Sequence, residues 1–241
     1  FFMSLNLLSI QCNKKFEATE FELLSLQARW NTVVCPCFRK DASSWWNQIV
    51  TLHQTSTDRH YHTMMHLYEM MEYADHLQQS KDPVVVLSIF FHDAIYDPHS
   101  NRNEEASAEL FQEFYIEHQS LDDTLGPKVD QYIRCTQHHQ PPKNNKDQSL
   151  EIFLDMDMAV LAKDEEAYLH YASLIRKEYA WVERTVYCEK RAEILSNFGM
   201  ERHIYCTQLF RENLESQARK NLEQEIKLLK EGCIPGESCS T

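Results

Sequence analysis

The chain has 241 residues, and its 24 basic and 37 acidic side chains give a formal net charge of -13. A chain of this length can bury a sizeable core, and we expect it to form a single domain. The negative charge argues against electrostatic attachment to nucleic acid or to an anionic membrane, so we expect neither partner.

The composition indicates an all-α protein, because the chain contains only 4 Gly and 7 Pro and is rich in helix-favouring residues. Its 8 cysteines are scattered through a chain that is large enough to fold without disulfide bonds, so we expect reduced thiols and a cytoplasmic location. The apolar first ten residues lack the basic start and cleavage pattern of a signal peptide. No apolar run approaches the roughly 20 residues of a membrane-spanning helix.

Apolar residues at three- and four-residue spacing predict a series of helices. In chain order, we place helices over residues 17–34, 43–50, 59–77, 83–92, from 103 onward, 127–139, 165–183, 187–198 and within 214–229. The predicted domain organisation is an N-terminal extension over 1–16, one domain over 17–231 and a flexible tail over 232–241.

An adjacent histidine and aspartate, His92 and Asp93, follow the apolar run 84–91. Burying an imidazole and a carboxylate without a partner is costly. A divalent metal is the simplest partner, because both groups are common metal ligands. The pair therefore predicts a metal site at the end of a buried element.

Other polar residues stand in similarly apolar surroundings. His62 and His66 are four residues apart, which on one helix would place them on the same face. Asp155 and Asp157 interrupt the otherwise apolar run 152–161, where a carboxylate needs a metal or a buried hydrogen bond.

Four ordered motifs carry a resemblance to a known family. They are R-x-Y-H-x-x-x-H at 59–66, F-H-D-A-x-Y-D-P at 91–98, N-E-E-x-S-A at 103–108 and D-x-D-x-A-x-L at 155–161. With these motifs the chain resembles the HD superfamily of metal-dependent phosphohydrolases, and more closely its bacterial-type branch of predicted phosphohydrolases. The likeness extends over roughly residues 30–222.

This resemblance implies an all-α HD-domain helical bundle that holds one divalent ion, which could be Mn, Zn, Fe, Mg, Co or Ni. The implied ligands are His66, His92, Asp93 and Asp157, with Asp155 as the alternative to Asp157. The implied reaction is hydrolysis of a small phosphorylated substrate, such as a nucleotide, by a metal-activated water.

Three further residues are candidates for the catalytic machinery. A likeness to cyclic-nucleotide phosphodiesterases implies that His62 protonates the leaving oxygen. His139, favoured over His138, is a second candidate proton carrier, since imidazole titrates near neutral pH. Arg59 is a candidate phosphate clamp through its fork of donors, with a surface salt bridge as the alternative.

Two other functions remain open. One is a metal-stabilised binding or regulatory module of the same fold without turnover. The other is a di-iron oxygenase of the same fold, which would need additional histidines, such as His99 with His138 or His139, to hold a second iron.

Overall fold

The computed structural model describes Leu7 and residues 17–54 and 58–237. Within these ranges the regular structure is helical, so the all-α prediction is confirmed. Ten α-helices occur there: α1 (Glu20–Arg29), α2 (Trp45–Gln54), α3 (Met64–His76), α4 (Pro83–Phe91), α5 (Asn103–His118), α6 (Leu125–Cys135), α7 (Gln148–Asp157), α8 (Glu165–Glu178), α9 (Arg184–Met200) and α10 (Gln208–Lys230).

The chain divides into two compact units, one over Lys15–Asp157 and the other mainly over Met158–Thr241. This division into two units does not decide whether residues 17–231 form one domain, so that expectation stays a prediction. The predicted N-terminal extension, apart from Leu7, and residues 238–241 of the predicted tail lie outside the described residues.

The core of the Lys15–Asp157 unit is built around α4. This helix is apolar on all sides and is buried from Val85 to Phe91, as expected of a helix surrounded by neighbours. The Trp30 ring packs edge-on against Phe90 at 5.3 Å, and the centre of the Trp45 ring lies 6.0 Å from that of the Phe91 ring. The aromatic side chains thus fix α4 within its unit.

The N-terminus of α4 follows the pattern of its sequence. Asp82 is the N-cap, and its Oδ1 accepts a hydrogen bond of 2.9 Å from the backbone N–H of Val84. Pro83 occupies the first helical position, where its missing N–H costs nothing. The start of α4, and hence the position of its end, is therefore set by local residues.

Several predicted helices are shorter than expected, among them the helix predicted over 165–183, which ends at Glu178. The helix predicted over 59–77 begins only at Met64, because Thr63 caps it and its side chain accepts from the Met65 N–H. The helix predicted to reach His139 ends at Cys135. The predicted shared helix face of His62 and His66 is therefore wrong.

The Met158–Thr241 unit contains a short 3₁₀ helix, Met158–Ala162, followed by α8, α9 and α10. The Asn221 amide of α10 donates to the carbonyls of Leu161 and Lys163, at 2.8 Å each. The described part of the predicted flexible tail packs onto this unit, since the Ile234 side chain is 2% exposed.

Two further expectations concern the membrane and the thiols. Among the described residues, every helix is too short or too polar to cross a bilayer. The expectation of reduced thiols is wrong for Cys233, which is disulfide-bonded. Because disulfides persist in oxidising compartments, this bond does not favour the cytoplasmic location, which stays a prediction. Among the described residues, the free cysteines are Cys35, Cys37, Cys135, Cys188 and Cys206.

Candidate metal centre

Three helices of the Lys15–Asp157 unit bring the predicted ligands together. His66 lies in the first turn of α3, where its ring is buried. His92 is the C-cap of α4, and Asp93 follows it directly. Asp157 is the last residue of α7. The four side chains therefore come from helix ends, where the backbone can present a side chain to a shared point.

The donor atoms of these side chains are close to one another. His66 Nε2 lies 3.2 Å from His92 Nε2 and 3.1 Å from Asp157 Oδ1. His92 Nε2 lies 3.1 Å from Asp93 Oδ2 and 3.7 Å from Asp157 Oδ1, and His66 Nε2 lies 3.7 Å from Asp93 Oδ2. These spacings describe one compact group rather than two separate hydrogen-bonded pairs.

This group fits a divalent cation. Ligand atoms about 2.1 Å from one ion are about 3.0–3.4 Å apart in octahedral or tetrahedral arrangements, close to the observed spacings. The ligand atoms of His66, His92 and Asp157 all lie within 4.8 Å of one another, and two imidazoles with a carboxylate form a ligand set typical of Zn, Mn and Fe sites. Asp93 is outside this group of three, although its Oδ2 lies 3.1 Å from His92 Nε2. The side chains of Asp93 and Asp157 are 16% and 11% exposed, so the group is reachable from solvent on the carboxylate side.

Hydrogen bonds at the other ring nitrogens orient both imidazoles. His92 Nδ1 lies 3.0 Å from the Ile89 carbonyl, which can only accept, so Nδ1 carries a proton and donates. His66 Nδ1 lies 3.1 Å from the hydroxyl of Tyr61, whose side chain is buried. Both Nε2 atoms therefore face the group of ligand atoms described above. A hydrogen bond at the other ring nitrogen commonly orients a metal-ligating histidine in this way.

The pKa values of these side chains show that the group attracts positive charge. Burial alone would lower the pKa of His92, but the Asp93 carboxylate and hydrogen bonds to Asp157 and Asp93 outweigh burial and hold this pKa well above its ordinary value. Burial alone would raise the pKa of Asp157, but hydrogen bonds from His139, His66 and His92 hold it well below its ordinary value. The low pKa of Asp157 and the high pKa of His92 both reflect a site that favours positive charge, which a bound cation would also supply.

His139 joins the group from the loop after α6. Its Nε2 lies 2.9 Å from Asp157 Oδ2, the oxygen opposite the one that faces His66. Its backbone adopts the left-handed conformation, with φ of 49°. The neighbouring His138 is exposed. Of the two candidates, His139 is thus the one that contacts a predicted ligand.

His62 lies before α3 rather than on it. Its ring stacks on Tyr96, with centroids 4.3 Å apart and an interplanar angle of 28°. The His62 ring is 6.1 Å from the His66 ring, and its charge is among the influences that lower the pKa of Asp93, after burial, which raises it, and His92. A proton carrier at His62 would therefore be held beside the group by Tyr96.

Arg59 occupies a structural position. Its side chain is buried, and its Nη1 donates to the carbonyls of His62 at 2.8 Å and Asp93 at 2.7 Å. Its Nη2 donates to the Ala94 carbonyl at 3.3 Å. These bonds join the loop before α3 to the residues after α4, so they favour a positioning role over both the predicted phosphate clamp and the surface salt bridge.

The remaining candidates lie apart from this group. Asp155 is buried on α7 but is not among the close donor atoms of the described residues, whereas Asp157 is. His99 is exposed and contacts Asp97 at 3.0 Å. A second cluster of three close metal-ligating side chains is not found in the described ranges, which gives the di-iron reading no support.

Sequence reasoning assigned no role to three residues near this group. Tyr61 and Tyr96 belong to two of the four motifs: Tyr61 directly precedes His62, and Tyr96 is three residues after Asp93. This closeness in sequence was the signal that could have identified them. His53 of α2 is 1% exposed, and its Nδ1 donates to the Ile49 carbonyl at 2.9 Å. Its burial, followed by the nearby Arg59 charge, lowers its pKa to about 3, so this ring is neutral.

Comparison of the chain with protein-family models, with curated proteins and with solved structures finds no match.

Proposed function

We propose that the chain is a metal-dependent phosphohydrolase of the HD type, acting on a small phosphorylated substrate such as a nucleotide. The observation that carries this proposal is the convergence of four side chains, with His66 Nε2 within 3.7 Å of donor atoms on His92, Asp93 and Asp157. The order of these residues in the sequence matches the resemblance described above.

In this proposal the four side chains hold one divalent cation, whose chemistry is to activate water and to offset negative charge on phosphoryl oxygens. His66 and His92 contribute neutral imidazole nitrogens, and Asp93 and Asp157 contribute negative charge. The hydrogen bonds of Tyr61 and of the Ile89 carbonyl fix the two rings, so that little reorganisation accompanies binding.

Two histidines are proposed to handle protons. His62, stacked on Tyr96, delivers a proton to the leaving oxygen. His139 holds Asp157 Oδ2 and serves as a second proton carrier. Arg59 supports this arrangement by holding the carbonyls of His62 and Asp93.

The test is a screen of the protein loaded in turn with Mn, Zn, Fe, Mg, Co and Ni. Substrates are nucleotides, a generic phosphomonoester such as p-nitrophenyl phosphate and a generic phosphodiester such as bis(p-nitrophenyl) phosphate. We expect turnover with at least one metal, and a loss of more than about 10³-fold in the His92→Ala/Asp93→Ala variant. His76→Ala, an exposed histidine on α3, is the control.

Three outcomes would contradict the proposal. Activity that survives the double substitution would show that the chemistry lies elsewhere. Stoichiometric metal binding without turnover on any substrate would favour the binding or regulatory module instead. Two irons per chain with oxygen-dependent turnover would identify the oxygenase.

A further inference from the structure

A second charged site lies in the Met158–Thr241 unit. Arg176, near the end of α8, and Arg184, at the start of α9, both contact the carboxylate of Glu237. Arg176 Nε donates to Oε1 at 2.8 Å, and Arg184 Nη1 donates to Oε2. Each carboxylate oxygen is thus held by a different guanidinium group, an arrangement that suits any planar or tetrahedral oxyanion.

Backbone carbonyls also hold both arginines in place; the carbonyl that Arg184 contacts is that of Gly232, in the same C-terminal segment as Glu237. Arg176 Nη1 donates to the carbonyls of Tyr179 at 2.8 Å and Val182 at 3.1 Å, and its guanidinium lies 4.8 Å from the centre of the Tyr187 ring. Arg184 Nη2 donates to the Gly232 carbonyl at 2.9 Å. The two cations would therefore remain close together if the carboxylate left, and their mutual repulsion would favour another anion.

A cavity of about 420 Å³ borders the pair on the Arg184 side only, since Arg176 is not among its lining residues, and its size is within the range of small-molecule sites. Its lining includes Arg184 itself. Its other polar and apolar lining residues include Thr185, Glu189, Lys230, Ala192 and Leu229. Two cationic side chains of the lining, Arg184 and Lys230, outnumber the single carboxylate of Glu189. The apolar side chains offer surface for the body of a ligand.

Glu237 reaches the arginines through a specific backbone contact. Gly236 has φ of 81°, and a Cβ atom added to it would lie 2.6 Å from Ser173 Cβ on α8. Only glycine permits this close approach in the left-handed conformation. Gly236 therefore helps to dock the segment that carries Glu237, together with the buried Ile234, and it can be changed without altering any charge.

We propose that Arg176 and Arg184 form an anion-binding site, in which Glu237 is a tethered occupant that gives way to the carboxylate or phosphate group of a small molecule seated in the adjoining cavity. A tethered carboxylate competes at an effective concentration in the millimolar range. Its removal therefore raises the apparent affinity for a free anion. This inference does not depend on the phosphohydrolase proposal.

The experiment is calorimetric titration of the full chain with inorganic phosphate and, separately, with acetate. For Glu237→Gln we expect saturable binding of one anion, at least about tenfold tighter than in the unmodified chain. Gly236→Ala, which keeps every charge, is expected to show the same gain. Tighter binding of phosphate or of acetate identifies which oxyanion the site prefers.

Two variants serve as controls. Glu231→Gln makes the same change in net charge at an exposed position, and it should bind as the unmodified chain does. Arg184→Gln/Glu237→Gln should lose the gain. Phosphate bound at the metal centre contributes equally in every variant. The proposal is overturned if Glu237→Gln and Gly236→Ala gain no affinity for either anion, or if the gain survives the loss of Arg184.

Discussion

The hydroxyl of Tyr61 lies 3.1 Å from Nδ1 of His66, on the side of the ring opposite the nitrogen that faces His92. This hydrogen bond fixes the orientation of a proposed ligand. For Tyr61→Phe we expect metal affinity to fall by about 10-fold to 100-fold, the usual cost of losing such a partner. Competition with a chelator of known affinity measures this loss.

Tyr68→Phe, a change of the same kind on α3, should leave the metal affinity unaltered. Equal affinity in Tyr61→Phe and the unmodified chain would show that the hydroxyl does not support His66.

The contact between His139 and Asp157 predicts a difference between two neighbouring histidines. His139→Ala removes the 2.9 Å contact to Asp157 Oδ2 and the proposed second proton carrier, so we expect the rate of the proposed phosphate-ester hydrolysis to fall by about 10²-fold or more. His138→Ala, at an exposed position, should retain the full rate. Equal rates in the two variants would remove His139 from the site.

The raised pKa of His92 predicts how metal binding depends on pH. Because the pKa of His92 is higher in the folded chain than in the unfolded chain, the proton on this ring stabilises the folded state. This stabilisation is complete below the unfolded pKa of about 6.5. It is lost as the pH rises through the folded pKa. A metal must displace that proton, so its affinity should rise with pH by up to about tenfold per unit.

The measurement is the increase in Tm on adding a fixed metal concentration, at pH 6 and at pH 8. We expect the larger increase at pH 8. His92→Ala should bind metal more weakly and lose most of this dependence, and an increase that is the same at both pH values would contradict the assignment of His92 as a ligand.

The buried neutral ring of His53 predicts sensitivity to acid. Its pKa of about 3 lies below the unfolded value of 6.5, so the unfolded chain binds the proton more readily and stability falls as pH drops below about 6.5. Between pH 7 and pH 5 this group alone should cost about 2 kcal/mol of unfolding free energy.

Urea denaturation at the two pH values checks this expectation. His53→Phe should lose about 2 kcal/mol less than the unmodified chain over the same interval. His118→Phe replaces another buried helical histidine, with a similar bond from Nδ1 to the Phe114 carbonyl, and controls for the substitution itself. An unchanged loss in His53→Phe would show that this ring does not govern acid stability.

Some of this arrangement could be predicted from the sequence because it depends on local signals. The helical class followed from composition, and the start of α4 followed from Asp82 and Pro83. The grouping of His66, His92 and Asp157 followed from the order of motifs rather than from periodicity, since residues so far apart in sequence give no local sign of their contact.

Other features depend on competition between signals or on tertiary structure. The Thr63 cap was a recognisable signal for the start of α3, but apolar spacing outweighed it in the prediction. The left-handed backbone of His139 and the three carbonyls that surround Arg59 have no counterpart in hydrophobic patterns. Such contacts arise only when distant segments fold together, so sequence spacing cannot assign them.

The position of His92 at the C-terminus of α4 has a consequence for the order in which ligands bind. The C-terminal end of a helix carries partial negative charge, which attracts cations and repels anions. A free phosphate group approaching the site would also meet the carboxylates of Asp93 and Asp157. For the proposed reaction we therefore expect the cation to bind first and the phosphorylated molecule afterwards.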